Sequence, residues 1–390
     1  MAGRSGGALA DERRLLVSAI LLGVVGPEVF IVQPGFVQGM VQYLGFDDRA
    51  AGYVASAEMF GIATTTVAMT FAAQRFNWRR VIAWSLAIIV VTNLACTLVR
   101  DVTTFAALRF AAGIGAGGLI SLSFTAIGLT RRPDRNFGYL IMWVLTYGAF
   151  ALLAMPTAYG MTGLTGVLWF FALFPLVALP WLKYFPESGE NTVQVEKDAV
   201  NLPASAKGLA LAAMFAYFLA QGVVWAYLFL IGISGGLTEQ QVANGLTVSQ
   251  FAGIAGALGA ALTAGRYGRA VPLTIGIVGG AVTLYFLVGQ FSATLYLVAV
   301  TVYNLAWNFT HPYLLGAMAS FDRRGRVVVN AVAMQMLGLA LGPSLAASVI
   351  EEGIYVNVNL LGGALFVVSA ALILPPVLAQ SRLIRAPQAA

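Results

Sequence analysis

Charge is scarce in this chain. Only 10% of its 390 residues are Asp, Glu, Lys or Arg, against roughly 25% in a typical soluble domain. With 59% hydrophobic residues and a mean hydropathy of +0.83, a water-soluble globule is excluded. The sequence has one cysteine, Cys96, and one histidine, His311. A lone cysteine rules out an intramolecular disulfide. One cysteine and one histidine far apart in sequence offer no metal-ligand spacing, so neither a metal nor a cofactor is expected. Two motifs that would point to a membrane-embedded enzyme are also missing: there is no HExxH and no phosphate-binding Gly-x4-Gly-Lys loop. No ten-residue run alternates polar and apolar residues, which removes the outer-membrane barrel, and no ring of charges suggests a channel.

What the sequence does contain is apolar runs of membrane-crossing length. At about 20 residues per crossing, they fall near 15–43, 50–73, 81–99, 102–129, 138–158, 162–182, 208–232, 243–264, 271–290, 293–319, 327–350 and 357–379. The expected fold is therefore an all-α membrane protein of twelve transmembrane helices. Span one is too long for a cleavable signal and is expected to stay in the mature chain.

Basic residues give the orientation, because Lys and Arg accumulate in cytoplasmic loops. Groups such as Arg13 and Arg14, Arg79 and Arg80, Arg131 and Arg132, Arg266 and Arg269, and Arg323 and Arg324 precede span one or follow even-numbered spans. Only Arg49 and Arg100 lie in loops after odd-numbered spans. Both termini are thus expected in the cytoplasm, in the inner membrane if the source is bacterial. The net charge of +6 is explained by this topology, and no nucleic-acid partner is expected.

The polar stretch at 184–207 mixes Pro, Gly, Ser and both charge signs and reads as a cytoplasmic linker. It separates a six-helix bundle at 1–183 from another at 208–390. AAQRFNWRRV at 72–81 and TAGRYGRAV at 263–271 follow the second span of each half, and Pro156 and Pro343 lie in the fifth span of each. Two parallel six-helix repeats are a signature of carriers that rock one half against the other. The glycine clusters GIGAGG at 113–118, GIAGALGAA at 253–261 and GLALGP at 338–343 allow helix backbones to approach closely.

ALRFAAGIGAGG at 107–118, QRFNWRRV at 74–81 and GRYGRAV at 265–271 resemble the major facilitator superfamily, over nearly the whole chain. The first is similar to the family's fourth-helix pattern. The other two resemble its signature loop, with Gln74 and Gly265 standing where an Asp is usual. AGYVASAEMFG at 51–61 and the Glu of span one are similar to the drug and sugar efflux branch of proton antiporters. AMPTAYG at 154–160 has Ala154 where that branch has a glycine. The resemblance implies two pseudo-symmetric six-helix bundles, alternating access and a gating loop comprising Gln74, Arg75, Arg79 and Arg80, with Arg266 and Arg269 in the second copy.

Charges inside apolar spans cost about 3 kcal/mol or more and survive where they face water or one another. Glu28, Glu58 and Arg109 are such charges. Glu28 lies near mid-membrane beside Gly26, Pro27 and Pro34, where a kinked helix would free backbone carbonyls. Glu58 and Arg109 sit at equal depth, seven or eight residues from the outer ends of their spans, so they can pair. They can staple two helices permanently, or Arg109 can alternate between Glu58 and a substrate anion. Glu28 and Glu58 are the candidates for proton coupling.

The second half offers polar and aromatic stripes at three- and four-residue spacing: Tyr217, Gln221 and Trp225 on span seven, and Asn304, Trp307, Asn308 and His311 on span ten. Such residues must face the bundle rather than lipid. Together with Gln33, Trp143 and Tyr147 they form a candidate wall for an amphipathic or aromatic substrate, with interhelical packing the alternative for each. His311, before Pro312, reads as a structural hydrogen-bonding residue. The expected function is proton-coupled transport of a small organic molecule, with export favoured. Uptake of an organic anion and a non-transporting receptor are the alternatives. The expected partners are the substrate, protons and the lipid bilayer, and the expected state is a monomer.

Overall fold

A computed structural model describes residues 2–72, 75–130, 133–188, 199–264, 266–323, 326–351 and 353–385. Gln74 and residues 189–198 of the linker lie outside the described residues. The described chain is helical, and its one extended pairing is a single bridge between Glu351 and Ile354.

The helices are α1 (Ala2–Val25), α2 (Glu28–Ile31), α3 (Gln33–Leu44), α4 (Asp48–Ala72), α5 (Trp78–Cys96), α6 (Val102–Gly128) and α7 (Pro133–Leu173), the last continued by a 3-10 segment, Phe174–Tyr184. They are followed by α8 (Ala204–Trp225), α9 (Leu228–Ser234), α10 (Glu239–Thr263), α11 (Ala270–Tyr285), α12 (Ala293–Ser320), α13 (Arg326–Val349) and α14 (Val356–Arg385). Twelve crossings follow from these pieces. Span one is α1 to α3, span seven is α8 and α9, and α7 with its 3-10 continuation is two spans, because Gly163 breaks the helix with φ 62° and ψ −169°. Among the described residues, and by length and composition alone, seven helical segments are apolar and long enough to cross a membrane. The helix breaks of span one, the polar residues of α4 and α12 and the 16-residue length of α11 keep the other crossings from standing out by length and composition.

Several helix starts are set by side chains at the first free N–H groups. Asn77 accepts from Arg80 N at the start of α5, Asp101 from Thr104 N at α6, and Ser292 from Leu295 N at α12. Thr238 and Gln241 form a reciprocal capping box at α10. Span six, expected as a regular helix, ends instead in eleven residues of 3-10 helix. Pro175 and Pro180 supply no N–H to an α-helical ladder, which accounts for the change.

The chain divides into two compact units: Met1–Phe46 with Tyr53–Thr192, and Asp47–Gly52 with Val193–Ala390. In the first, α1 packs on α6, α7 and the 3-10 segment, and α5 packs on α6 and α7. In the second, α8 packs on α13 and α14, α12 on α10 and α11, and α11 on α14. This unit also holds the start of α4, where Arg49 Nη2 donates to Ile350 O at 2.8 Å and the Tyr355 hydroxyl donates to Asp48 Oδ2 at 2.7 Å. The first span of each half is interrupted at the same relative place, after Val25 and after Trp225. Pro27 explains the first break; the second has no proline and was not legible in the sequence.

Candidate functional site

Glycine places the charges of the first unit. A Cβ on Gly113 would lie 2.0 Å from Glu58 O, one on Gly61 2.1 Å from Phe110 O, and one on Gly117 2.6 Å from Ile62 O. α4 and α6 therefore cross with their backbones in contact, as only small residues allow. Arg109 is one turn before Gly113, on the same face of α6. The crossing thus delivers the guanidinium to the Glu58 carboxylate.

Arg109 Nε donates to Glu58 Oε2 at 3.2 Å, and Nη2 donates to Glu58 Oε1. This is a two-point pairing, with side-chain exposures of 1% and 5%. Arg109 Nη1 donates to Asn93 Oδ1 at 2.7 Å. Asn93 is itself oriented by donating from Nδ2 to Ile89 O at 2.9 Å and Phe171 O at 3.3 Å. The guanidinium also lies 5.1 Å from the Phe36 ring centroid, and Phe36 meets Phe171 edge-on at 5.8 Å. Five helices, α3 to α7, thus enclose one buried cation. Asn93 and Phe36 were not singled out in the sequence. An amide in IIVVTNLAC was the available signal for the first, whereas nothing distinguished Phe36 from the other aromatics.

Glu28 is the contrasting group. It begins α2, is 2% exposed, and among the described residues neither carboxyl oxygen has a hydrogen-bond partner. Arg109 and Glu58 are its charged neighbours, within electrostatic reach. The Tyr147 hydroxyl is in the same electrostatic neighbourhood and lacks a hydrogen-bond partner among the described residues, while its ring stacks on Phe174 at 5.3 Å. Gln33 is buried, and its Oε1 has no partner among the described residues. Trp143, one turn before Tyr147, is 52% exposed and makes no part of this cluster.

In the second unit the polar stripes interlock. The Tyr303 hydroxyl donates to Gln221 Oε1. Asn308 Nδ2 donates to Asn304 Oδ1 at 2.7 Å, and Asn304 Nδ2 donates to Ser249 Oγ at 3.2 Å. Trp225 and Trp307 meet edge-to-face at 5.7 Å, and Tyr303 meets Trp307 at 6.3 Å. His311 Nε2 donates to Gln335 Oε1 at 3.1 Å, with its ring edge-on to Phe218. Ser249, Tyr303 and Gln335 are additions that the spacing argument did not single out; Tyr303 lies on α12 beside Asn304, and Ser249 lies on α10 next to Gln250, whose Oε1 is 3.5 Å from Asn304 Nδ2. Among the described residues, no three His, Cys, Asp or Glu side chains come together as metal ligands would.

In the first loop, Arg79 is anchored: Nε donates to Phe185 O at 2.6 Å and Nη1 lies 3.4 Å from Glu187 Oε1. Arg75 and Arg80 are exposed, as is Arg266, while Arg269 is half-buried.

The sequence model described as Major Facilitator Superfamily matches residues 18–328. No curated protein matches the sequence. Among solved structures, the chain is similar to the xylose transporter XylE from E. coli in a partially occluded inward-open conformation, with TM-score 0.72 and 14% identity over 93% of this chain and 97% of that one. It is similar to the nucleoside transporter NupG, with TM-score 0.67 and 15% identity over 94% and 98%. A structure described under substrate recognition in proton-dependent oligopeptide transporters gives TM-score 0.72 and 15% identity over 96% and 99%. At such identities the likeness is one of fold.

Proposed function

Because this chain belongs to the major facilitator superfamily and is a transporter of small molecules, we propose that it is proton-coupled, works by alternating access, and exports an amphipathic or aromatic compound. The observation that carries the reading is the pair of unlike carboxyls in the first unit. Glu58 is matched by a buried arginine, whereas Glu28 has no hydrogen-bond partner among the described residues.

Uphill transport needs a second ligand whose binding favours one conformation over the other. An ionised carboxylate buried without hydrogen bonds is costly, and a proton removes that cost. Glu28 is therefore the primary proton acceptor. Glu58 and Arg109 form the element that responds to it, since their mutual attraction depends on both being charged. Three guanidinium nitrogens of Arg109 are already engaged by Glu58 and Asn93. That arrangement favours a charge-pairing role over a standing site for a substrate anion, and hence export over anion uptake.

Substrate recognition is assigned to the neutral wall of the second unit: Gln221, Trp225, Asn304, Trp307 and Asn308. Aromatic faces and amides suit an amphipathic molecule. Within the first unit, Gln33 and Tyr147 carry polar atoms with no hydrogen-bond partner among the described residues and are assigned to substrate contact on that unit's own side. The basic loops, Arg75 to Arg80 and Arg266 to Arg269, act as gating loops on the cytoplasmic side, following the positive-inside distribution. The working form is a monomer in the inner membrane if the source is bacterial, with both termini cytoplasmic.

The test is transport by the purified protein in proteoliposomes, with a pH gradient of either sign and a panel of fluorescent amphiphiles and labelled organic anions. Wild-type protein is expected to move an amphiphile against its gradient only when protons flow the other way. Glu28→Gln should still exchange substrate across the membrane at equal pH but fail to concentrate it. Concentration by Glu28→Gln equal to wild type would overturn the proton assignment. Accumulation of an anion together with protons would establish uptake instead.

A further inference from the structure

A second feature of the first unit lies away from the buried charges. A cleft of about 500 Å³ opens between α4, α5 and α6 at their basic end, lined by Thr65, Arg80, Trp84, Ser85, Ile88 and Ile114, with Arg75 at its mouth. Its size is within the range of roughly 300–1,000 Å³ typical of small-molecule sites. Its two ends differ in chemistry.

At the mouth are two arginines. Arg75 and Arg80 are both exposed, and among the described residues neither guanidinium meets a carboxylate. Arg79, between them, is held by Glu187 and Phe185 O, which leaves Arg75 and Arg80 as the cations at the mouth. Asn77 caps α5 by accepting from Arg80 N, which sets where Arg80 leaves the helix. Deeper in, the lining is mainly apolar, with Thr65 and Ser85 the only hydroxyls among its residues. Trp84 is 72% exposed on the outer side of the cleft, and Ile88 and Ile114 are half-buried beyond it. From Arg80 to Ile88 is eight residues of helix, about 12 Å at 1.5 Å per residue.

Solvated arginines at a membrane boundary are ordinary by themselves. Here they stand over an apolar slot that runs into the hydrocarbon, and a soluble anion would use only the mouth. A molecule with a negative head and an aliphatic tail matches both ends at once. We propose that this cleft binds an anionic phospholipid, its phosphate between Arg75 and Arg80 and one acyl chain along Trp84, Ile88 and Ile114. Juxtamembrane cations and anionic headgroups attract one another at short range, and salt screens the attraction.

The experiment uses the full chain in nanodiscs of phosphatidylcholine containing an equal minor fraction of either dibrominated phosphatidylglycerol or dibrominated phosphatidylcholine. Bromine on an acyl chain quenches nearby tryptophan, and the Trp84 signal is isolated as wild type minus Trp84→Phe. Quenching of that signal should be stronger with the anionic lipid, and the preference should shrink in high salt. Arg75→Gln and Arg80→Gln should each reduce the preference about fivefold, the equivalent of one cation near an anionic surface. Equal quenching by the two lipids in wild type overturns the proposal, and this arm does not depend on how the variants fold. So does a Trp84 signal that neither lipid quenches, a variant that melts like wild type yet keeps the full preference, or a preference displaced by inorganic phosphate.

Discussion

Glu58→Gln is the sharpest perturbation of the buried pair. The substitution keeps the shape of the side chain, removes its charge, and turns one of two acceptor oxygens into a donor facing the guanidinium. Arg109 would keep Asn93 Oδ1 at 2.7 Å and at most one amide oxygen, at 1% exposure. Breaking a buried ion pair by removing one partner costs about 3–5 kcal/mol, mostly for the charge left behind. The lower end applies here, because helices unfolded within a membrane still find partners for their polar groups. At about 2–4 °C per kcal/mol for a domain-sized unit, 3 kcal/mol corresponds to a fall in Tm of roughly 6–12 °C. The assay is thermal and detergent-induced unfolding in mixed micelles. The double variant Glu58→Gln with Arg109→Gln removes both charges and should recover most of the loss. A single variant within about 1 kcal/mol of wild type, or a double variant as unstable as the two singles summed, refutes the reasoning. In proteoliposomes, proton-driven transport left intact by Glu58→Gln would reduce the pair to a structural staple.

The remaining predictions use the same structure. Gly113→Ala places a methyl 2.0 Å from Glu58 O, and should cost about 1–3 kcal/mol by overpacking and lower transport, read by thermal melting and proteoliposome flux. Gly138→Ala meets nothing within 4 Å and should be neutral in both. Tyr303→Phe leaves Gln221 Oε1 without its donor and should cost about 0.5–1.5 kcal/mol, while weakening binding of aromatic substrates measured by tryptophan fluorescence. The backbone N–H of Thr104 holds the Asp101 carboxyl below the ordinary carboxylate range. The stability this adds is present above the unfolded pKa and is lost as pH falls through the folded one, so Asp101→Ala should melt below wild type at neutral pH and match it in strong acid.

The twelve crossings were legible because hydropathy and the placement of arginine are read from long segments, and local errors average out. The details of the crossings were less so. Pro27 announced the break in span one, but span seven opens after Trp225 without a proline or a charge to mark it, so packing against α13 and α14 rather than propensity must set its course. The linker end illustrates another limit: Glu187 meets Asn77 and Arg79 from more than a hundred residues away, and no local pattern relates those positions.

The candidate site divides in the same way. Glu28, Glu58 and Arg109 stood out because charge in hydrocarbon is costly wherever it occurs. Asn93 carries no charge, so the same argument passes over it, yet it fixes the one nitrogen of Arg109 that Glu58 does not reach. The glycines were read as a means of close approach, and that is a statement about a pair of helices rather than a site. Only when Gly113 is seen against Glu58 O does the spacing of Arg109 to Gly113 acquire a chemical meaning. A Cβ at either contact point would drive α4 from α6 and draw the carboxylate away from the guanidinium, so the strength of the ion pair is set by residues that carry no polar side chain. A variant screen confined to charged positions would miss them, and small-to-large substitutions at Gly61 and Gly113 should weaken the pair as surely as changing the charges does.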